Sequence, residues 1–272
     1  MDRLSLLAVF AHPDDETFGT GGTLAKYVAE GVSVALVCAT RGEAGEIYAP
    51  SLATRDTLAQ VRENELRCAL DILGVPTLRF LDYVDGQLSS ADFQEAEGRV
   101  VRAIRELRPD VIFTFGPDGV YGHPDHIAIS RLTTAAFDSA ADPTRFPDHL
   151  AQGLKPHQAK KLYYRAVSRQ QFRKMLRDAA SAGADISLGE IDLDNFGVDE
   201  SVITTRIDTD AYLGVKLRAI ECHATQIQPN SPWRKATAQQ LRDFMRYETY
   251  TLARSLVSVP AGIEDDLFAG IR

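Results

Sequence analysis

Cysteine is scarce in this chain of 272 residues. Cys38, Cys68 and Cys222 are odd in number, far apart in the sequence and without a C-x-x-C spacing. Such a set excludes a disulfide framework and a cysteine-rich zinc site, so we expect neither. The same scarcity is typical of a protein that works in the reducing cytoplasm.

Basic residues are also in the minority. The chain has 30 lysines and arginines against 38 aspartates and glutamates, which gives a net charge of −8. Nucleic acids and anionic membranes select proteins with a basic surface, so neither is expected as a partner. The apolar run near the N-terminus covers only about eight residues, against roughly 20 for a membrane helix, and it lacks a signal-peptide cleavage site. These absences predict a soluble intracellular protein.

The chain does contain a regular alternation of apolar runs and amphipathic segments. Short runs rich in β-formers predict strands at residues 4–10, 32–38, 77–81 and 111–115. The intervening patterns predict helices at residues 19–30, 56–73 and 93–107. Strand–helix–strand units of this length require right-handed crossovers between parallel strands. The predicted fold class is therefore α/β with a mostly parallel sheet.

The second half of the chain is predicted to be less regular. A helix at residues 127–137 follows the fourth strand, and a proline-containing connection follows it at residues 139–160. Further strands are predicted at residues 162–167, 202–207 and 247–252, helices at 170–180, 211–222 and 239–245, and a polar loop at 183–200. No repeat or linker divides the chain. Residues 1–272 are therefore expected to form one domain, embellished from about residue 150 onward.

Two histidine clusters occupy equivalent places in this pattern. His12 and Asp15 are three residues apart, His123 and His126 repeat that interval, and both pairs span a Pro-Asp step where a strand leads into a helix. Ligands of open α/β sheets bind at the carboxyl ends of strands. Two histidines and one aspartate from such turns would leave a coordination position vacant, which is the form of a catalytic zinc site; iron or cobalt would also fit. Ordinary helix capping is the alternative for either cluster taken alone.

Two other motifs give weaker evidence about function. Gly19-Thr20-Gly21-Gly22 resembles a phosphate-binding loop, but Leu24 stands where the last glycine of G-x-G-x-x-G belongs. We interpret these glycines as allowing close packing of helix on sheet. No serine lies in a G-x-S-x-G elbow, which argues against a serine hydrolase.

The motifs together resemble a known family. They are, in chain order, residues 11–16 (AHPDDE) with Gly21-Gly22, 40–43 (TRGE), 62–66 (RENEL), 74–75 (GV), 123–126 (HPDH) and 223–226 (HATQ). Their order is similar to that of the LmbE-like (PIG-L) zinc-dependent de-N-acetylases, over about residues 4 to 230. That family has a Rossmann-like three-layer α/β sandwich and removes acetyl groups from N-acetylglucosamine conjugates, including intermediates of mycothiol and bacillithiol synthesis and of glycolipid anchors.

The resemblance implies a role for each matching residue. It makes His12, Asp15 and His126 the ligands of one Zn²⁺ per chain, with Fe²⁺ or Co²⁺ as alternatives, and Asp14 the general base for the metal-bound water. It makes His123, protonated and oriented by Asp125, the group that stabilises the oxyanion or assists departure of the amine. Glu16 and Arg62 would contact the sugar, and Tyr121 would lie over the reacting amide. Two residues have two interpretations each. Arg41 is either a substrate contact or a solvated charge on a loop, and His223 is either a functional residue or a cap at the C-terminus of its helix.

Three functions therefore stay open at this point. The first is removal of an acetyl group from an N-acetylglucosaminyl conjugate, a small-molecule substrate. The second is an amidase that uses the same metal site on a thiol-sugar conjugate. The third is a non-catalytic nucleotide- or sugar-binding module. The sequence does not decide between a monomer and a homo-oligomer.

Overall fold

The computed structural model describes residues 3–48, 50–181, 196–228, 234 and 236–272. Its sheet has seven strands in the order β3-β2-β1-β4-β5-β7-β6. The strands are β1 (Ser5–Phe10), β2 (Ser33–Thr40), β3 (Thr77–Tyr83), β4 (Val111–Phe115), β5 (Lys161–Ala166), β6 (Thr205–Asp208) and β7 (Tyr247–Ser255). The pairs from β3 through β5 are parallel, whereas β7 pairs antiparallel with both β5 and β6.

Helices cover both faces of this sheet. They are α1 (Asp15–Ala29), α2 (Leu58–Leu73), α3 (Phe93–Leu107), α4 (Pro124–Ser139), α5 (Pro147–Ala151), α6 (Arg169–Ser181), α7 (Leu213–Cys222) and α8 (Ala238–Met245). α1, α2 and α7 pack together as one layer, and α3 packs on α4 as the other, as right-handed crossovers from this strand order require. The predicted α/β class and three-layer arrangement are confirmed.

The central strands form the core because they are covered on both sides. All of β4 and all of β1 beyond Ser5 are buried, which explains why their sequences are continuous apolar runs rather than alternating ones. The rings of Phe10 and Phe115 lie 4.8 Å apart between these neighbouring strands. The ends of β1 and β4 are therefore held at a fixed separation, and both histidine clusters follow directly.

Two helices begin earlier than predicted, and both begin inside the histidine clusters. α1 starts at Asp15 rather than residue 19, and α4 starts at Pro124 rather than residue 127. The imidazole of His123 accepts a hydrogen bond from the backbone N–H of Asp125, so His123 caps α4, with Pro124 at the first helical position. The polar motif residues were predicted as loop because their side chains interrupt the apolar periodicity. The backbone is nevertheless helical there.

The C-terminal predictions differ more. β6 begins at Thr205 instead of residue 202 because residues 200–202 form a 3₁₀ turn, and the connection 139–160 contains the short helix α5. Most of the loop predicted at 183–200 lies outside the described residues. No helix in the described part of the chain combines the length and apolarity needed to cross a membrane.

The expectation that disulfides are absent is wrong. Cys68 of α2 and Cys222, the last residue of α7, form a disulfide although 154 residues separate them. The spacing in sequence gave no sign of this pair, because the contact arises only when α2 packs on α7. Cys38 stays a free thiol, buried in β2.

Candidate metal and active site

The two histidine clusters meet at the carboxyl edge of the sheet. β1 and β4 are parallel neighbours, so the turns that follow them lie side by side. Nδ1 of His12 is 3.2 Å from Nε2 of His126, across 114 residues of sequence. Both side chains are buried. Sequence reasoning predicted this convergence correctly from the position of each cluster at the end of a strand.

Asp15 completes a set of three converging side chains. Its carboxylate oxygens lie 3.6 Å from Nδ1 of His12 and 3.4 Å from Nε2 of His126. His123 is close as well: ligand atoms of His12, His123 and His126 all lie within 4.8 Å of one another, as do those of His12, Asp85 and Asp125. Nδ1 of His123, however, already accepts the backbone N–H of Asp125 at 3.2 Å.

The outward nitrogens of the two rings face oxygen atoms. Nε2 of His12 is 2.9 Å from Oδ1 of Asp85, and Nδ1 of His126 is 3.2 Å from the carbonyl oxygen of Gly119. A carbonyl oxygen only accepts, so neutral His126 carries its proton on Nδ1. The Nε2 lone pair of His126 then faces Nδ1 of His12 and the carboxylate of Asp15. Such an arrangement attracts a cation, and histidine and aspartate donors suit a divalent metal.

The pKa values report the same concentration of negative charge. Burial lowers the pKa of His12, but hydrogen bonds with Asp125, Asp15 and Asp85 outweigh it and hold that pKa well above its ordinary 6.5. Burial raises the pKa of Asp15, but His126 and His12 outweigh it and hold the carboxyl well below its usual range. The group is thus preorganised for positive charge.

Asp14 lies beside this group without belonging to it. Its backbone has φ of 110°, a left-handed conformation that non-glycine residues rarely adopt. One carboxylate oxygen accepts from Nη2 of Arg62 at 3.0 Å. Burial raises the pKa of Asp14 to about 6, although Arg62 partly opposes the shift. A partly exposed carboxylate with that pKa is suited to accept a proton near neutral pH.

Arg62 does not have the position expected of a sugar contact. The side chain is buried, with 3% of its surface exposed. Nη1 donates to the carbonyl of Gly42 at 2.7 Å, and Nη2 donates to the carbonyl of Pro13 at 2.5 Å as well as to Asp14. The guanidinium holds the turn that carries Asp14, which favours a positioning role; the contact with a sugar stays a prediction.

Glu16 is likewise buried behind the site rather than open to a sugar. Oε2 accepts the backbone N–H of Asp14 at 2.9 Å, and Oε1 accepts from Nε2 of His223 at 2.8 Å. Burial lowers the pKa of His223, but the charge of Glu16 outweighs it and the net shift is upward. The sequence allowed either a functional role or helix capping for His223. In the structure His223 bonds to Glu16, which in turn holds the Asp14 turn.

His123 and Asp125 contact each other differently from the expectation. The carboxylate of Asp125 accepts the backbone N–H of Gly86 at 2.7 Å and lies 3.4 Å from Nε2 of His12, so it orients His12 rather than His123. Burial and the neighbouring His126 lower the pKa of His123 to about 4. The expected protonated His123 is therefore neutral at neutral pH, with its proton on Nε2 and free to be donated.

Tyr121 and Arg41 stand at the edge of the site. Tyr121 is 38% exposed and its ring lies 5.3 Å from the ring of His126; its place over the reacting amide stays a prediction. Arg41 pairs with Glu63 at 2.7 Å and with Asp82 at 2.6 Å. Its charge is thus balanced within the protein, which favours the loop interpretation over substrate binding.

Sequence reasoning missed two carboxylates. Asp85 follows the end of β3 and reaches His12, and its place after a parallel strand was a usable signal. Glu65 of α2 accepts both the backbone N–H and the hydroxyl of Thr225, at 2.7 Å each, which ties the 223–226 motif to α2. No sequence signal paired Glu65 with Thr225, because 160 residues separate them.

Comparisons with known proteins agree with this geometry. The family described as "PIG-L: GlcNAc-PI de-N-acetylase" matches residues 7–137. A protein of Thermobispora bispora named 1D-myo-inositol 2-acetamido-2-deoxy-alpha-D-glucopyranoside deacetylase is 38% identical over 304 residues, covering 98% of each chain. Mycothiol S-conjugate amidase of Streptomyces coelicolor is 36% identical over 294 residues, covering 100% of this chain and 98% of that protein.

A solved structure has a similar fold. N,N'-diacetylchitobiose deacetylase from Pyrococcus horikoshii matches with a TM-score of 0.69 at 22% identity, over 92% of this chain and 84% of that one. At this identity the likeness concerns the fold alone. The two relatives above 35% identity, in contrast, match this chain in sequence over nearly the whole length of both proteins. The chain therefore belongs to the PIG-L (LmbE-like) family of GlcNAc-PI de-N-acetylases.

Proposed function

We propose that this protein is a zinc-dependent hydrolase that removes the acetyl group from an N-acetylglucosaminyl conjugate, with N-acetylglucosamine linked to myo-inositol as the first candidate substrate. The observation that carries the proposal is the placement of Asp14 directly beside the converging His12, Asp15 and His126. The relative from Thermobispora bispora, matched over 98% of both chains, supports the choice of substrate. We place the reaction in the cytoplasm.

His12, Asp15 and His126 would hold the metal. Two imidazole nitrogens and one carboxylate are a donor set that suits zinc, and Fe²⁺ and Co²⁺ accept the same donors. A divalent metal bound there supplies Lewis acidity, which acidifies water and polarises a carbonyl. Asp85 and the carbonyl of Gly119 orient the two imidazoles for this task.

Asp14 would act as general base. With a pKa of about 6 its carboxylate is ionised at neutral pH, yet basic enough to take a proton from the attacking water. Once protonated, it can deliver that proton to the nitrogen of the departing amine. Arg62 and Glu16 keep the carboxylate in place, because they bond to the Pro13 carbonyl and to the Asp14 N–H on either side.

His123 would stabilise the negative charge that develops on the acyl oxygen. Its Nδ1 accepts from the backbone of Asp125, so Nε2–H is the free donor. A neutral, preorganised N–H can serve in this way as an oxyanion donor. Tyr121, which stacks edge-on against both His123 and His126, would close the site over the amide.

Cleavage of a larger amide is the second candidate. The Streptomyces coelicolor relative is named an amidase and matches 98% of its own length, and its reaction breaks the same type of bond. The residues placed around Asp14 serve either reaction, because both need a base, an oxyanion donor and a metal.

Acetate release separates the two candidates. The zinc-loaded protein would be incubated with N-acetylglucosaminyl-inositol and, in parallel, with a thiol-sugar S-conjugate amide. Acetate released from the first substrate, with the second at least about tenfold slower in kcat/KM, is the expected result. The reverse order would establish the amidase, and absence of turnover on both would contradict the proposal. Arg67→Lys, an exposed change on α2, serves as the control variant.

A further inference from the structure

Arg165 is a charged residue that the catalytic scheme does not use. It lies near the carboxyl end of β5 and pairs in register with Phe115, the last residue of β4. No hydrogen bond or ion pair of its guanidinium occurs within the described residues. Burial lowers the pKa of Arg165, as expected for a cation placed in the protein without a matching anion. An arginine held in this way has donors available to a ligand.

The guanidinium lies close to the backbone of the first turns of α1. A Cβ atom added to Gly19 would come 1.7 Å from Nε of Arg165 and 2.0 Å from its Cζ. Gly19 lies one helical turn beyond Asp15, whose carboxylate is one of the three converging side chains of the candidate metal site. The absence of a side chain at Gly19 therefore lets Arg165 lie next to the candidate active site.

Two carboxylates act on Arg165 at longer range. Asp15 favours its protonated form most, and Glu248 favours it as well. The charge of Glu248 is balanced by Lys216, from which it accepts at 2.7 Å, and it also accepts the backbone N–H groups of Gly22 and Thr23 rather than a hydrogen bond from Arg165. Arg165 thus lies within electrostatic range of Asp15, its donors are unused within the described residues, and it lines a neighbouring space.

That space is a cavity of about 60 Å³. Phe18, Val167 and Phe244 give it apolar walls, and Ser168 and Gln171 add polar groups. Lys216 also lines it but is paired with Glu248, so Arg165 is the cation of the described lining that has no partner. A small cavity with apolar walls and one unpaired guanidinium suits a short carboxylate, whose two oxygens match the guanidinium fork.

We propose that Arg165 and this cavity form a subsite for the carboxylate product of amide hydrolysis. The inference rests on the proposed function: water adds to the acyl carbon, the C–N bond breaks, the amine takes a proton, and the acyl group leaves as a carboxylate. Acetyl removal and cleavage of a larger amide both generate such an anion. Arg165 would receive it beside the metal group and so hold it before release.

Acetate binding tests the subsite directly. Acetate would be titrated into the full-length protein, zinc-loaded and metal-free, and binding followed by NMR or calorimetry. Arg165→Gln is expected to weaken acetate binding by about tenfold or more, the usual effect of losing a hydrogen bond to a charged group. Gly19→Ala should weaken it as well, because its methyl displaces the guanidinium. Arg254→Gln, at an exposed arginine of β7, should bind acetate as the unaltered protein does.

The outcomes separate this inference from the proposed function. Unchanged acetate affinity in both Arg165→Gln and Gly19→Ala would overturn the subsite, as would failure of the unaltered protein to bind acetate. If Arg165→Gln raised the KM for the conjugate and left inhibition by acetate unchanged, Arg165 would belong to the substrate site instead. That result would also overturn the subsite. Acetate binding that depends on Arg165, in a protein that hydrolyses no amide, would overturn the proposed function alone.

Discussion

His223 donates from Nε2 to Oε1 of Glu16 at 2.8 Å, although 207 residues separate the two in sequence. Glu16 in turn accepts the backbone N–H of Asp14, so the C-terminal end of α7 supports the turn that carries the proposed base. The charge of Glu16, with contributions from Asp14 and Glu65, raises the pKa of His223 against the opposing effect of burial.

This pair makes the stability of the protein depend on pH. A histidine whose pKa is raised in the folded state contributes fully below its unfolded pKa, and the contribution is lost as the pH rises through the folded pKa. His223→Gln keeps a donor but removes the charge. We expect its loss of thermal stability relative to the unaltered protein to be larger at about pH 6 than at about pH 9. His157→Gln is the control, because burial lowers the pKa of His157 and its contribution grows as the pH rises. A constant difference for His223→Gln across this range would contradict the account.

Arg62 gives a prediction that separates positioning from substrate binding. Arg62→Lys keeps the charge but cannot reproduce the bonds to Gly42, Pro13 and Asp14. We expect kcat to fall by about tenfold to a hundredfold, with KM and zinc content little changed. Steady-state kinetics with Arg67→Lys as the control checks this. A rise in KM with unchanged kcat would instead support the sugar contact implied by the family resemblance.

Asp85 is expected to control metal affinity through His12. Its carboxylate lies 2.9 Å from Nε2 of His12, the nitrogen that faces away from the metal group. Asp85→Asn should weaken zinc binding by about tenfold to a hundredfold, the usual effect of changing such a partner. Competition with a chelator measures this affinity. Asp82→Asn, an exposed residue nearby that pairs with Arg41, should leave it unchanged, and equal effects of the two variants would refute the assignment.

The disulfide between Cys68 and Cys222 should stabilise the fold. It joins α2, whose Arg62 donates to Asp14, to the end of α7, where the next residue, His223, bonds to Glu16. Replacing both cysteines by serine is expected to reduce the free energy of unfolding by about 2 to 4 kcal/mol. Urea unfolding with and without a thiol reductant provides the measurement. The reductant should lower the stability of the unaltered protein and not that of the double variant; insensitivity of both would contradict the prediction.

The sequence predicted the fold well where apolar pattern alone decides it. α3 and β4 have their predicted bounds, because strong amphipathic or continuous apolar patterns mark them. The starts of α1 and α4 were predicted too late, since Asp15 and His126 are polar residues on helices for reasons of chemistry rather than packing.

The contacts of the candidate site could likewise be predicted only in part. The meeting of His12 with His126 could be predicted, because parallel strands bring their carboxyl ends to one edge. The partners of Arg62 and Glu16 could not, since they depend on how the helices pack over that edge, and the partner of Asp125 lies in the loop after β3. The pairing of Cys68 with Cys222 was missed for the same reason.

The comparison of Asp14→Asn with the unaltered protein tests the central claim most directly. Asparagine has the shape of aspartate but cannot accept the proton, and Asp14 is not among the three converging side chains. Acetate release from N-acetylglucosaminyl-inositol and bound zinc would be measured on the same samples. We predict full zinc content with turnover reduced by about 10² to 10⁴, the usual contribution of a general base. Undiminished turnover at full zinc content would show that Asp14 is not the base.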